Sequence, residues 1–98
     1  MFVHSVFFWL KESLTADEKA TFATELQKLS EVKPAEQILI GTHAGTDRPV
    51  VVKDYDYALT CIFKNKADHD AYQVDPGHQA FIAACSSFWA KVTIYDAD

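Results

Sequence analysis

The chain has 98 residues, a net charge of −5 and one arginine, Arg48. No run of Lys and Arg is present to neutralise phosphates, which excludes nucleic acid as a partner. At 49% hydrophobic and 13% aromatic residues, a domain this small carries more apolar surface than its modest core can bury, so part of it is expected to meet another chain. Cys61 and Cys85 each sit in an apolar run. Two cysteines make no disulfide framework, and buried reduced thiols are expected.

Phe2 to Leu10 reads as a strand rich in aromatic and β-branched residues. It is too short to span a bilayer and lacks a basic segment and a cleavage site, so no membrane partner and a cytoplasmic location are expected. One face carries Phe2, His4, Val6, Phe8 and Leu10, and the other Val3, Ser5, Phe7 and Trp9. Both faces are largely apolar, so both should be covered, one by the chain's own helices and the other by a partner. Thr15 with Glu18 makes a capping box for a helix running to about Leu29, with a buried stripe of Ala16, Ala20, Phe22, Ala23, Leu26 and Leu29.

Glu36 to His43 predicts the second strand, where Gly41 marks a bulge or a close backbone approach. Ala44 to Asp56 is a long connection, and its Val50-Val51-Val52 run fits a short edge strand or an arm laid on a partner. Tyr57 to Phe63 is the third strand. Asn65 caps a short helix from Lys66 to about Tyr72, and Asp75 with Pro76 starts another that runs to about Trp89. Its stripe would be His78, Phe81, Ile82, Cys85, Phe88 and Trp89. Lys91 to Tyr95 is the last strand. The order β-α-β-β-α-β predicts one α+β, ferredoxin-like domain over residues 1–98, a four-stranded antiparallel sheet with helices on one face. The uncovered apolar face predicts a homodimer packed sheet to sheet, a dimeric α+β barrel.

Four stretches carry a resemblance over nearly the whole chain. They are Val3-His4-Ser5-Val6-Phe7-Phe8, Tyr57-Ala58-Leu59, the run from Ala71 to Phe81, and the final strand Val92 to Asp96. The most specific is the tyrosine, Tyr72, followed by Pro76-Gly77-His78. On these residues the chain resembles the stress-responsive dimeric α/β-barrel (Dabb) family and is similar to its plant olivetolic acid cyclase, which closes a linear polyketide by aldol condensation without a cofactor. The resemblance implies His78 as the base and Tyr72 as its assistant, with no cofactor. It places His4 in the pocket wall and puts Tyr57 where the cyclase has a pocket histidine, and the Ser87-Phe88-Trp89 run is also similar to that enzyme. Phe81, Phe88 and Trp89 then complete the lining.

The residues themselves leave alternatives open. A neutral His78 near a helix N-terminus suits a proton acceptor, while Asp75 pulls the other way. His78 could equally be a packing and capping residue, Tyr72 a core tyrosine, and His4 a satisfied structural histidine. His43 and His69 read as solvated. No His-x-His, His-x-x-x-His or Cys-x-x-Cys spacing occurs, so local sequence predicts no metal site. Apolar walls would suit a small apolar or aromatic ligand, with His78 and Tyr72 driving enolisation next to a carbonyl in a cyclase- or lyase-type reaction. The alternatives are a non-catalytic stress-response dimer and, by fold analogy, a monooxygenase-like barrel.

Overall fold

A computed structural model describes residues 1–98. In chain order the elements are β1 (Phe2–Leu10), α1 (Ala16–Lys28), a 3-10 turn (Leu29–Glu31), β2 (Gln37–Gly41), β3 (Tyr57–Phe63), α2 (Lys66–Gln73), α3 (Pro76–Cys85) and β4 (Trp89–Ala97). The four strands form one antiparallel sheet in the order β2-β3-β1-β4. This is the ferredoxin-like arrangement, and β1 lies between two partners.

Residues opposite one another in an antiparallel pair share a face. His4 stands opposite Cys61 on one side and Asp96 on the other, so these three make one row across the sheet. The neighbouring row is Leu59, Val6 and Ile94. Both rows face the helices, where Phe2, His4, Val6 and Phe8 are buried. The core closes over them with Phe22, Leu26, Leu29, Tyr72, Phe81 and Cys85. The opposite face carries Phe7 and Trp9 half-buried, with Leu39 and Tyr95 exposed.

The helices start where their caps require. Thr15 Oγ1 accepts from Glu18 N–H while Glu18 accepts from Thr15 N–H. Asn65 accepts from Asp68 N–H, and Asp75 from Gly77 N–H. Gly77 is needed for space: a Cβ there would lie 3.1 Å from both the Asp75 carboxylate and Val32.

Several boundaries differ from the sequence expectation. Helix α3 ends at Cys85, and Ser86 to Phe88 form a turn. Serines compete for the backbone inside helices, and Trp89 instead pairs with Leu10 as the first residue of β4. Trp89 and Phe88 therefore lie off the helical stripe. In α1 only Phe22 and Leu26 are buried, and Ala16 and Ala20 face solvent, because helix and sheet meet along a narrow line of large side chains. Strand β2 is shorter than expected. Gly41 pairs regularly with Ala58 and has open space around it, and the register irregularity lies at Trp9 and Leu10. The Val50–Val52 run is not an edge strand; Val50 and Val52 project into solvent. The same connection is tied down at its end, where Asp56 accepts from Leu10 N–H and Asp54 from the Trp9 indole.

The narrow contact line of α1 has a measurable consequence. Phe22→Ala should cost about 3–5 kcal/mol in chemical denaturation, while Ala20→Ser should change stability by less than about 0.5 kcal/mol. A comparable loss in both variants would restore the alanine stripe.

Candidate functional site

Sequence places a helix break at Val74, and the break builds the site. The last carbonyl groups of helix α2 have no partner within the helix. One of them, Gln73 O, accepts from the His78 ring at Nδ1 (3.2 Å) and from Gln79 Nε2 (2.7 Å). Tyr72 O accepts from Asp75 N–H at 3.1 Å. The chain thereby turns between two short helices and brings the rings of Tyr72 and His78 to 4.6 Å, tilted by 52°. Six residues of unbroken helix would rotate them by about 600°, leaving the side chains about 120° apart around the axis.

A carbonyl can only accept, so His78 Nδ1 carries the proton in this bond and Nε2 keeps its lone pair. The imidazole is half-buried, and its pKa is lowered from 6.5 chiefly by lost hydration. The Gln73 carbonyl and Asp75 act the other way, while His4 and His69 add to the lowering. Desolvation thus decides the balance between helix terminus and Asp75 that sequence left open. At neutral pH the ring is a neutral proton acceptor.

Tyr72 is fully buried, and its hydroxyl has no hydrogen-bond partner of good geometry. The Cys61 thiol beside it is a weak one. Burial, with smaller pushes from Cys61 and Asp75, raises the phenol pKa, so the group stays an O–H donor. Burial likewise pushes the Cys61 and Cys85 thiols up to about 11. Neither is a ready nucleophile.

A cavity of about 150 Å³ opens between the sheet and the α2–α3 junction. Its lining includes His4, Tyr72, Gln73, His78, Phe81 and Trp89, with Val6, Phe8, Leu59, Ile82 and Ile94. Ile82 and Ile94 are the more exposed of these, at 36% and 51%. Five of the expected residues, His4, Tyr72, His78, Phe81 and Trp89, thus meet at one space. Tyr57 and Phe88 do not line it. The Tyr57 ring packs on Phe22 at 5.4 Å, at the end of the sheet away from His4, and Phe88 sits in the turn after α3, against the core.

Other groups were not foreseen. His4 donates Nδ1–H to Asp96 at 2.6 Å. His69 is not solvated: its side chain is 12% exposed, stacked on Phe2 at 4.4 Å and 5.0 Å from the His4 ring. His43 is half-buried beside Tyr55, accepting from Gly45 N–H at Nδ1, with Nε2 enclosed and unpartnered. The alternation of β4 was a signal for Asp96, but its partner is 92 residues away.

Two measurements test this geometry. An unpartnered buried hydroxyl contributes nothing to folding, so Tyr72→Phe should keep wild-type stability or gain up to about 1 kcal/mol; a loss of 2 kcal/mol or so would reveal a hydrogen bond the structure does not contain. His78 binds its proton less readily folded than unfolded, so stability falls as pH drops through about 6.5. Thermal melts of His78→Gln should show a shallower acid limb; an unchanged limb would contradict the lowered pKa.

Comparison with known proteins places the chain in a family. The model of the Dabb family, the stress responsive A/B barrel domain, matches residues 2–98. A dimeric ferredoxin-like protein of unknown function from Thermobifida fusca is 22% identical, with a TM-score of 0.77 over 98% of this chain and 88% of that one. A Dabb family protein with a ferredoxin-like fold from Mesorhizobium loti is 22% identical, with a TM-score of 0.78 over 99% and 94%. A hydroxynitrile lyase from Passiflora edulis is 19% identical, with a TM-score of 0.76 over 98% and 90%. No curated protein matches the sequence, and no helix is long and apolar enough to cross a membrane. The chain belongs to the Dabb family of stress responsive A/B barrel domains.

Proposed function

We propose that the chain works as a homodimer in which each protomer holds a small aromatic or acyl carbonyl compound and moves its protons with His78 and Tyr72. The carrying observation is the pair of rings 4.6 Å apart in the wall of an apolar cavity. One ring offers a free Nε2 lone pair, and the other an unspent O–H that is sealed at rest and that a bound ligand must uncover.

The arrangement suits enolisation. His78 Nε2 takes a proton from carbon next to a carbonyl, and the C–H electrons form the new C=C bond. The carbonyl π electrons move to oxygen, where the Tyr72 hydroxyl donates to the developing enolate in a site poor in water. The enolate carbon can then attack a second carbonyl of the same molecule, and His78 returns its proton to the new alkoxide. The fold shared with a plant protein named as a hydroxynitrile lyase supports a cyclase- or lyase-type reading. A cavity of about 150 Å³ holds one benzene-sized ring, so a longer polyketide-like substrate would extend past Ile82 and Ile94.

The dimer reading rests on the open sheet face. Leu39 and Tyr95 are 50% and 66% exposed beside Phe7 and Trp9, and Val50 and Val52 project from the neighbouring connection. Related structures are described as dimeric. Sedimentation at micromolar concentration should give twice the chain mass, and Phe7→Glu should give a folded monomer. A wild-type monomer would remove the barrel.

The chemistry is tested by hydrogen–deuterium exchange at the α-carbon of a small aryl 1,3-diketone, followed by NMR. Wild type should accelerate exchange, and His78→Ala or Tyr72→Phe should each lose roughly 100-fold or more. The double variant should lose little beyond either single one, since the two act as a unit. Equal rates in wild type and His78→Ala would favour a non-catalytic dimer.

A further inference from the structure

We propose that His4, His69 and Asp96 form a binding site for a divalent transition-metal ion, one per protomer. The three residues come from β1, α2 and β4, and one donor atom from each lies within 4.8 Å of the others. A tetrahedral ion sits about 2.0–2.2 Å from such donors, which puts neighbouring donors roughly 3.3 Å apart. Closure therefore needs movements of about an ångström, within reach of side-chain rotation, and the ion replaces the His4 Nδ1–H···Asp96 bond, the ring's proton passing to Nε2 so that Nδ1 ligates.

The surroundings are those of a built site rather than a chance meeting of surface groups. His4 is 4% exposed and fixed by strand pairing on both sides. The His69 ring is held by the Phe2 face at 4.4 Å and by Phe63, edge to face, at 5.5 Å. A second, independent feature fixes its chemistry. Asp70 lies 3.2 Å from His69 Nδ1, and a carboxylate only accepts, so Nδ1 bears the hydrogen and Nε2 the lone pair. A carboxylate behind the far nitrogen is the arrangement that orients metal-binding histidines. Gln73 Nε2 now donates to that lone pair at 3.2 Å, a contact the ion would replace. Asp96, with its side chain 41% exposed, provides access from solvent.

Two imidazole nitrogens and one carboxylate oxygen suit Zn(II), Co(II) or Ni(II). They do not suit Mg(II) or Ca(II), which require oxygen shells. Three protein ligands leave a coordination position for solvent or a small anion. His4 also lines the cavity beside Tyr72 and His78, so the ion would lie at the cavity wall. The inference stands on different atoms from the acid–base reading and survives its failure.

The test uses the full chain without a histidine tag. Co(II) is titrated and followed by its visible d–d absorption, and Zn(II) by competition with a chromophoric chelator. Wild type should take up a single ion with micromolar affinity or better and should ignore Mg(II). Asp96→Asn, at a half-exposed position, and His69→Gln should each weaken Zn(II) binding at least roughly tenfold, with far-UV circular dichroism showing the fold retained. His43→Ala should bind as wild type. No saturable binding by wild type, or affinity unchanged in a folded Asp96→Asn, would overturn the proposal.

Discussion

The Gln73 carbonyl is the constraint on which the site depends. It ends α2 with no helical partner, and such end carbonyls are met by side chains or water. His78 Nδ1 and Gln79 Nε2 satisfy it. That choice fixes the tautomer of His78, the turn of the chain through Val74 and Asp75, and the approach of His78 to Tyr72. Asp75 and Gly77 support the same turn, one by capping α3 and the other by leaving room against Val32. A continuous helix through this region would have a better hydrogen-bond ladder and no convergent pair.

The second constraint is the central position of β1. Pairing on both edges sets His4 in one row with Cys61 and Asp96, and the helices then bury His4 and Cys61 while Asp96 stays at the rim. Polar groups under an apolar cover must find partners. His4 finds Asp96, His69 finds Asp70 and Gln73, and Tyr72 finds none of good geometry. The unsatisfied phenol is what distinguishes the cavity wall from ordinary core. A buried donor without a partner costs the fold some stability. The other face of β1 repeats the logic at larger scale, since Phe7 and Trp9 have only partial cover within the chain, from Tyr55, Tyr95 and Lys91.

Much of this was legible in the sequence because it rests on local rules. The period of β1 separated its two faces, and Thr15, Asn65 and Asp75 marked helix starts through the side-chain oxygen each offers to free amides. The Asp75-Pro76 start marked the break between the two helices that carry Tyr72 and His78. What stayed hidden depends on distance in the chain. Phe88 and Trp89 fit a helical stripe as well as a strand start, and only pairing with Leu10 decides it. His69 looked solvated between two aspartates because burial of its face of α2 needs Phe2 and Phe63 behind it. Tyr57 took its cavity role from a family position, whereas its ring turns to Phe22. The meeting of His4 with His69 and Asp96 has no local spacing at all, so rules for metal motifs pass over it.

The central claim is that His78 stands neutral, with its proton on Nδ1 and an unprotonated Nε2. Long-range proton–nitrogen correlation NMR of the wild-type protein at neutral pH reads this directly. The account predicts the His78 ring in the Nδ1–H form, with Nε2 showing the shift of an unprotonated imidazole nitrogen. An imidazolium, or an Nε2–H tautomer, would contradict it, because the base would then be already protonated or its lone pair turned to the Gln73 backbone.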